Sequence, residues 1–312
     1  MRAFLILGGL TATLILGPAA SAEPLAYAAL ATARKVVVVD VGLGRAVRTF
    51  PIAVSPHGIA ASAGGRLIFV PDLLAEKVIR VLDAETGQEV RRIAVDAPVH
   101  HLTLAPGGGR LFATLTVAAR LVIVELDTWA VRTVVVGGAP DYAIPAPDGR
   151  TVYVSNIADS ALTVVDAETA QVRGRITLEA GSGHGTVTAD GARGFFTTSA
   201  KGGIVAIDLE SGRQTAMVAT GSDPHGVAIG LGRRLFVSNR GGDTVTVIDL
   251  VRLTVEATIT VAKGPEHLAA SPDGRLVLVG LPQEHAIAVI DAERLEVIRR
   301  IKVDGDPHQI AF

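Results

Sequence analysis

The sequence predicts an all-β protein, a seven-bladed β-propeller of four-stranded blades, on three observations. An apolar run ending in aspartate recurs as VVVVD at Asp40, VIRVLD at Asp83, LVIVELD at Asp127, LTVVD at Asp166, IVAID at Asp208, VTVID at Asp249 and IAVID at Asp291. Successive copies stand 43, 44, 39, 42, 41 and 42 residues apart. A second motif comes round with the same period: PHGIAAS from Pro56, VHHLTLAP from Val99, PDYAIPAP from Pro140, GHGTVTAD from Gly183, PHGVAIG from Pro224, PEHLAASP from Pro265 and PHQIAF from Pro307. Between them lie short Val-, Ile- and Leu-rich runs cut by Gly, Pro and Asp, with no sustained 3.6-residue period after residue 22. Four short strands per copy, at a period of about 40–45 residues, is the signature of propeller blades.

Residues 57–96 illustrate one copy. HGIAAS is expected as the inner strand, AGGR (63–66) as a tight turn and LIFV as the second strand. A variable loop (71–77), a third strand VIRVLD, the turn AETG (84–87) and a fourth strand over 88–95 follow. The PDGR segments at 147–150 and 272–275 place Pro and Gly where a type I turn accepts them. The strand-end aspartates read as turn fixers, each carboxylate accepting from nearby backbone N–H groups.

The ends predict closure. The last copy, PHQIAF, supplies only an inner strand, and residues 26–50 supply the three strands it lacks. Strand 308–312 is therefore expected to pair with residues near 26–31, which removes free sheet edges.

Residues 1–22 (MRAFLILGGLTATLILGPAASA) carry Arg2, an apolar stretch from Ala3 to Leu16, a Gly17-Pro18 break and Ala20-Ser21-Ala22. That order is expected of a secretory signal peptide, and the apolar stretch is shorter than the roughly 20 residues a spanning helix needs. A single propeller domain over 23–312, periplasmic or secreted, without membrane insertion and monomeric, is the expectation that follows. The absence of cysteine among the 312 residues excludes disulfides, thiolate metal sites, iron–sulfur clusters and covalently attached c-type haem. A balance of 29 basic against 31 acidic side chains lacks the footprint of a nucleic-acid binder.

YVSN (153–156), FVSN (236–239), the SPDGR-type turns and the VxVID strands resemble the YVTN-type, YncE-like family of seven-bladed propeller repeats. The resemblance extends over residues 23–312. It implies the propeller fold and secretion, and ligand or surface binding more often than catalysis.

Chemistry concentrates in one place. Aligned on the second motif, the inner strands begin with His57, His100, Asp141, His184, His225, Glu266 and His308. The next column holds Gly58, His101, Tyr142, Gly185, Gly226, His267 and Gln309. Seven of the eight histidines fall in these two columns, where chance would place fewer than one. Inner strands line a propeller's channel, so residues some 42 positions apart converge at one mouth. Because side chains alternate along a regular strand, His101 and His267 are expected behind the ring or capping it. The eighth histidine, His285, falls in a loop between second and third strands, as do Lys77, Arg120, Lys201, Arg240, Arg34 and Lys35. Such a basic rim would favour an anionic ligand.

Imidazole with carboxylate and no thiolate suits copper, zinc or another transition metal, bound through neutral rings and released in acid below about pH 6. The arrangement is similar to the multi-histidine copper site of nitrous oxide reductase, without that family's cysteine-bearing domain, and to haem d1 propellers, in which a ring member such as His57 would be an axial ligand. Three uses of the mouth follow: a binding site for a metal or metal-bearing ligand, a metal-dependent hydrolase or copper oxidoreductase with Asp141 or Glu266 as base, or a scaffold for a protein partner on the loop face. The Gly181–Gly185 run precedes no helix, so neither a phosphate loop nor a nucleophile at Ser182 is expected. Trp129 falls in an outer turn and reads as surface.

Overall fold

The computed structural model describes residues 24–62, 64–73, 76–179 and 181–312. The signal segment 1–22 lies outside them. Seven four-stranded antiparallel sheets form among the described residues, each running from an inner to an outer strand. Counting the blade that holds both chain ends as blade I and the rest in chain order, blade IV shows the arrangement: Pro140–Pro145, Thr151–Asn156, Ala161–Asp166 and Gln171–Thr177. Second and third strands are buried on both faces, which is why they read as unbroken apolar runs (KVVVVD, RLVIVE) rather than alternating ones. Outer strands alternate, as in Arg213–Ala219, because one face meets water.

Among the described residues seven apolar clusters hold the ring together, and each joins two neighbouring blades. Phe69 and Ile79 pack with Leu111 and Val122, Phe112 with Val152, and Tyr153 with Phe196. Phe195 then packs with Leu235, Phe236 with Val277, Leu278 with Val37, and Val36 with Ile68, returning to the start. Closure follows the expected pairing: Leu25–Leu30 takes the C-terminal Pro307–Ala311 as its inner strand, with Tyr27 opposite Ala311, Ala28 opposite Ile310 and Leu30 opposite Pro307.

The turn chemistry is equally local. Asp83 Oδ1 accepts from the Glu85 and Thr86 amides, Asp249 Oδ1 from Val251 and Arg252, and Asp291 Oδ1 from Glu293 and Arg294. In the PDGR turns Asp148 Oδ1 accepts from the Arg150 and Thr151 amides, while Gly149 sits at φ +63°, where a side chain would be strained. The YVSN and FVSN motifs also have structural work. Ser155 and Ser238 accept from the Tyr142 and Gly226 amides of the inner strands, and Asn156 and Asn239 donate to Thr163 and Thr246 on the third strands.

One expectation needs correction. The inner strand expected over 57–62 is ladder-paired only at Ala60–Ala61, and several others start equally late, at Leu102, Gly185 and Leu268. Where pairing starts earlier, the register slips, between Pro140 and Ala143 and between Pro224 and Val227. Each blade therefore loses regular pairing at the residues that carry the chemistry.

Candidate metal centre

That loss of regularity builds the site. In blade III the His100 amide donates to Thr114 O, and the Thr114 amide donates back to His101 O, so two residues face one. Glu266 and His267 face Gly280 in the same way. Such a bulge re-aims side chains that would otherwise alternate. His101 and His267, expected behind the ring or capping it, lie against it: their rings lie 4.5 Å from His100 and 4.7 Å from His308, and 5.1 Å from one another.

The columns also need one adjustment. In blade V the Gly183 amide donates to Thr197 O and the Thr197 amide to His184 O, which places His184 in register with His101 and His267. Gly185 correspondingly faces Phe196 as Leu102 faces Ala113 and Leu268 faces Val279. The ring thus has two tiers. His57, His100, Asp141, His225, Glu266 and His308 stand at the mouth with Gly183. His101, Tyr142, His184, His267 and Gln309 lie beneath, with Gly58 and Gly226. The three deep imidazoles form a triangle with sides of 5.2, 4.5 and 5.1 Å and are almost completely buried.

Hydrogen bonds settle which ring nitrogens face inward. His308 Nδ1 lies 2.9 Å from His57 O, a carbonyl that can only accept, so Nδ1 donates. His100 Nδ1 donates toward Asp141, 3.1 Å from Oδ1. His101 Nδ1 lies 3.4 Å from Gln309 Oε1, whose identity as oxygen is fixed by the Ile59 amide donating to it at 3.1 Å while Gln309 Nε2 donates to the Tyr142 hydroxyl at 3.2 Å. A neutral ring that donates from Nδ1 presents a lone pair at Nε2. His308 Nε2 accordingly points a lone pair at Glu266 Oε2 across 3.6 Å. His225 Nε2 lies 3.1 Å from the same oxygen, yet neither atom is aligned for a hydrogen bond. The Nε2 atoms of His184 and His267 are likewise buried without a hydrogen-bond partner among the described residues. Buried nitrogen and oxygen atoms left without a hydrogen-bond partner are costly, and a bound cation would offset that cost.

Burial also keeps these rings neutral. It pushes His57 down to about 2 and His184 and His225 to about 3, with neighbouring charges adding to the shift. His101 and His267 fall well below the ordinary imidazole range for the same reason, and His308 falls too, although Glu266 opposes it. Burial opposes ionisation of Asp141, but the bond from His100 and the nearby imidazoles outweigh it and hold the carboxyl below its usual range. The neutral, ligating form of these rings therefore persists to lower pH than that of an ordinary imidazole.

A cavity of about 520 Å³ opens above the ring, walled by Ile157, Ser182, Ala200, Pro224 and Arg240 besides the imidazoles. Loops between second and third strands border this mouth in three blades, through Ile157, Ala200 and Arg240. Of the loop cations, Arg240 alone lines the cavity, and it pairs with Asp223 at 2.8 Å. Lys201 pairs with Glu179, Arg120 with Asp96 and Lys35 with Asp304, while Lys77 is exposed. His285 lies in a separate depression with Thr32 and Asp304. Trp129 is half-buried under the Arg91 guanidinium, 4.4 Å from its ring, rather than free on the surface.

Among the described residues, three sets of side chains bring ligand atoms within 4.8 Å of one another: His57, His100 and His101; His225, Glu266, His267 and His308; and His101, His184 and His267. Donor identity and spacing fit a transition metal bound by imidazole and carboxylate. The sequence columns brought all of these residues together. They missed the roles of Gln309 and of the His57 carbonyl, which no local motif marks.

Comparison with known proteins agrees with the architecture. Residues 194–312 match the YNCE-like beta-propeller family. The uncharacterized protein YncE of Salmonella typhi is 24% identical over 176 residues, covering 52% of this chain and 48% of that protein. PE-PGRS family protein PE_PGRS18 of Mycobacterium tuberculosis is 48% identical over 54 residues, 17% of this chain and 12% of its own length. The chain thus spans about half the length of the YncE relative and far less of the other. Among solved structures, Kuenenia stuttgartiensis Hydrazine Synthase superposes with a TM-score of 0.73 at 18% identity, over 83% of this chain and 90% of that one. Dihydro-heme d1 dehydrogenase NirN in complex with DHE superposes at 0.69 and 17% identity, over 93% and 66%. At such identities the likeness is one of fold alone. The chain is thus a seven-bladed β-propeller that, over residues 194–312, is similar to the YNCE-like beta-propeller family.

Proposed function

We propose that this propeller binds a transition metal, or a ligand carrying one, on the imidazoles at its channel mouth, and that it does so outside the cytoplasm after export by residues 1–22. The observation that carries the reading is the set of buried Nε2 and Oε2 atoms that lie close together without a hydrogen bond among the described residues. Hydrogen-bonding alone leaves that arrangement unsatisfied, and a cation satisfies it. The Nδ1 acceptors supply the outer contacts that orient ligating histidines. His57, His100, His101, His184, His225, His267, His308 and Glu266 are the ligand pool, with Asp141 orienting His100.

An enzymatic use of the bound metal is the second reading, supported by the open cavity above it. Against a hydrolytic role, Asp141 is engaged with His100, and Glu266 belongs to the ligand pool rather than being free to act as a base. Binding is therefore preferred. Elemental analysis of untagged protein purified without chelators tests the reading. Stoichiometric copper or zinc supports it. Background metal after both ions have been offered refutes it.

A further inference from the structure

We propose that the mouth is a two-ion centre, one ion held by His57, His100 and His101 and the other by His225, Glu266, His267 and His308, with His184 between them. This rests on the metal-binding reading above and extends it to number and position.

Seven imidazoles and one carboxylate oxygen are offered, whereas a structural or catalytic zinc-type ion takes about four protein ligands or fewer. The donors also divide in space. Each outer set is mutually within 4.8 Å, and no such set combines His57 or His100 with His225, Glu266 or His308. His101 and His308 stand 6.5 Å apart by ring centroid. His184 reaches His101 and His267, one deep member of each set, and so stands between the two. Each set also has one carboxylate in a different role. Glu266 offers a buried, unpartnered oxygen directly, while Asp141 engages Nδ1 of His100 and leaves Nε2 for the ion. The sets meet where the His57 and His308 rings lie 4.0 Å apart, so the ions would be close neighbours beneath one cavity. Two ions in such proximity can share a small anion between them.

The test uses the full-length exported chain, stripped by chelator and titrated with Zn(II) alone. Stoichiometry is read by elemental analysis after desalting. About two zinc ions per chain are expected, falling to about one in His57→Ala/His100→Ala and to about one in His225→Ala/His308→Ala. One ion in the unaltered chain, abolished by either pair of substitutions, overturns the two-ion centre while leaving metal binding intact. Two ions retained by both variants overturn the assignment of ligands. No zinc in any sample removes the underlying reading as well. Because the variants remove buried side chains, zinc-edge anomalous scattering from crystals of the unaltered protein gives an independent answer: two peaks, one on each set, against one peak or none.

Discussion

Replacing Glu266 by glutamine should move stability and metal affinity in opposite directions. In the metal-free protein Glu266 Oε2 is buried, lies 3.6 Å from the lone pair of His308 Nε2 and makes no hydrogen bond among the described residues. An amide turned with its NH₂ toward His308 would donate into that lone pair and remove the clash of acceptors. An unsatisfied buried group of this kind costs about 1–3 kcal/mol, more when charged. Relieving part of it should raise the melting temperature of the stripped protein by about 2–6 °C for a chain of this size. The same change deletes an anionic ligand. Residues that merely orient ligands are worth about 10–100-fold in affinity, so losing Glu266 should weaken zinc by about 100-fold or more. Scanning calorimetry of the chelator-stripped proteins and zinc titration against a competing chelator measure the two effects. A lower melting temperature in E266Q, or unchanged zinc affinity, would refute the reasoning.

Other outcomes follow from the same geometry. Gln309→Ala leaves the Ile59 amide and His101 Nδ1 without their acceptor, and should cost about 1–3 kcal/mol in a urea melt as well as weakening zinc; a silent variant would show that the amide orients nothing. Deleting 307–312 removes the inner strand of blade I and buried Ile310, and should lower the melting temperature by more than about 10 °C, since burial of one such side chain is already worth about 2–5 kcal/mol; an unchanged melt would deny the closure. The metal-free protein should lose stability as pH falls below about 6.5, where the unfolded chain takes up protons that the buried rings refuse. Each of His57, His101, His184, His225, His267 and His308 contributes at most about 1.4 kcal/mol per pH unit, levelling off only near the folded values of about 2 to 3 to which burial pushes His57, His184 and His225. Urea melts at pH 7 and pH 5 check this, and equal stabilities would contradict it.

The fold was legible because a propeller repeats its instructions: period, turn residues and the incomplete last copy are all local facts about the chain. The chemical column was legible for the same reason. Its details were not. Aligning blade V on His184-Gly185 matched it to His57-Gly58, whereas counting back from the turn shows that His184 precedes Thr188 by four residues, as His101 precedes Ala105 and His267 precedes Ser271. The bulges that let neighbouring residues share the channel arise from pairing with the second strand, which alternation rules do not foresee. Gln309 reaches His101 across 208 positions and His308 reaches the His57 carbonyl across 251, so no nearby pattern could announce either contact. The loop cations looked like a basic rim because their carboxylate partners are contributed mainly by other segments, such as Asp96 for Arg120 and Glu179 for Lys201.

X-ray absorption at the metal edge of the loaded, untagged protein tests the central claim most directly. Nitrogen scatterers at about 2.0–2.1 Å with the outer-shell pattern of imidazole are predicted, with a short oxygen from Glu266 that disappears in E266Q. A spectrum of hydrated or oxygen-only metal would show that the imidazoles face one another for some other reason.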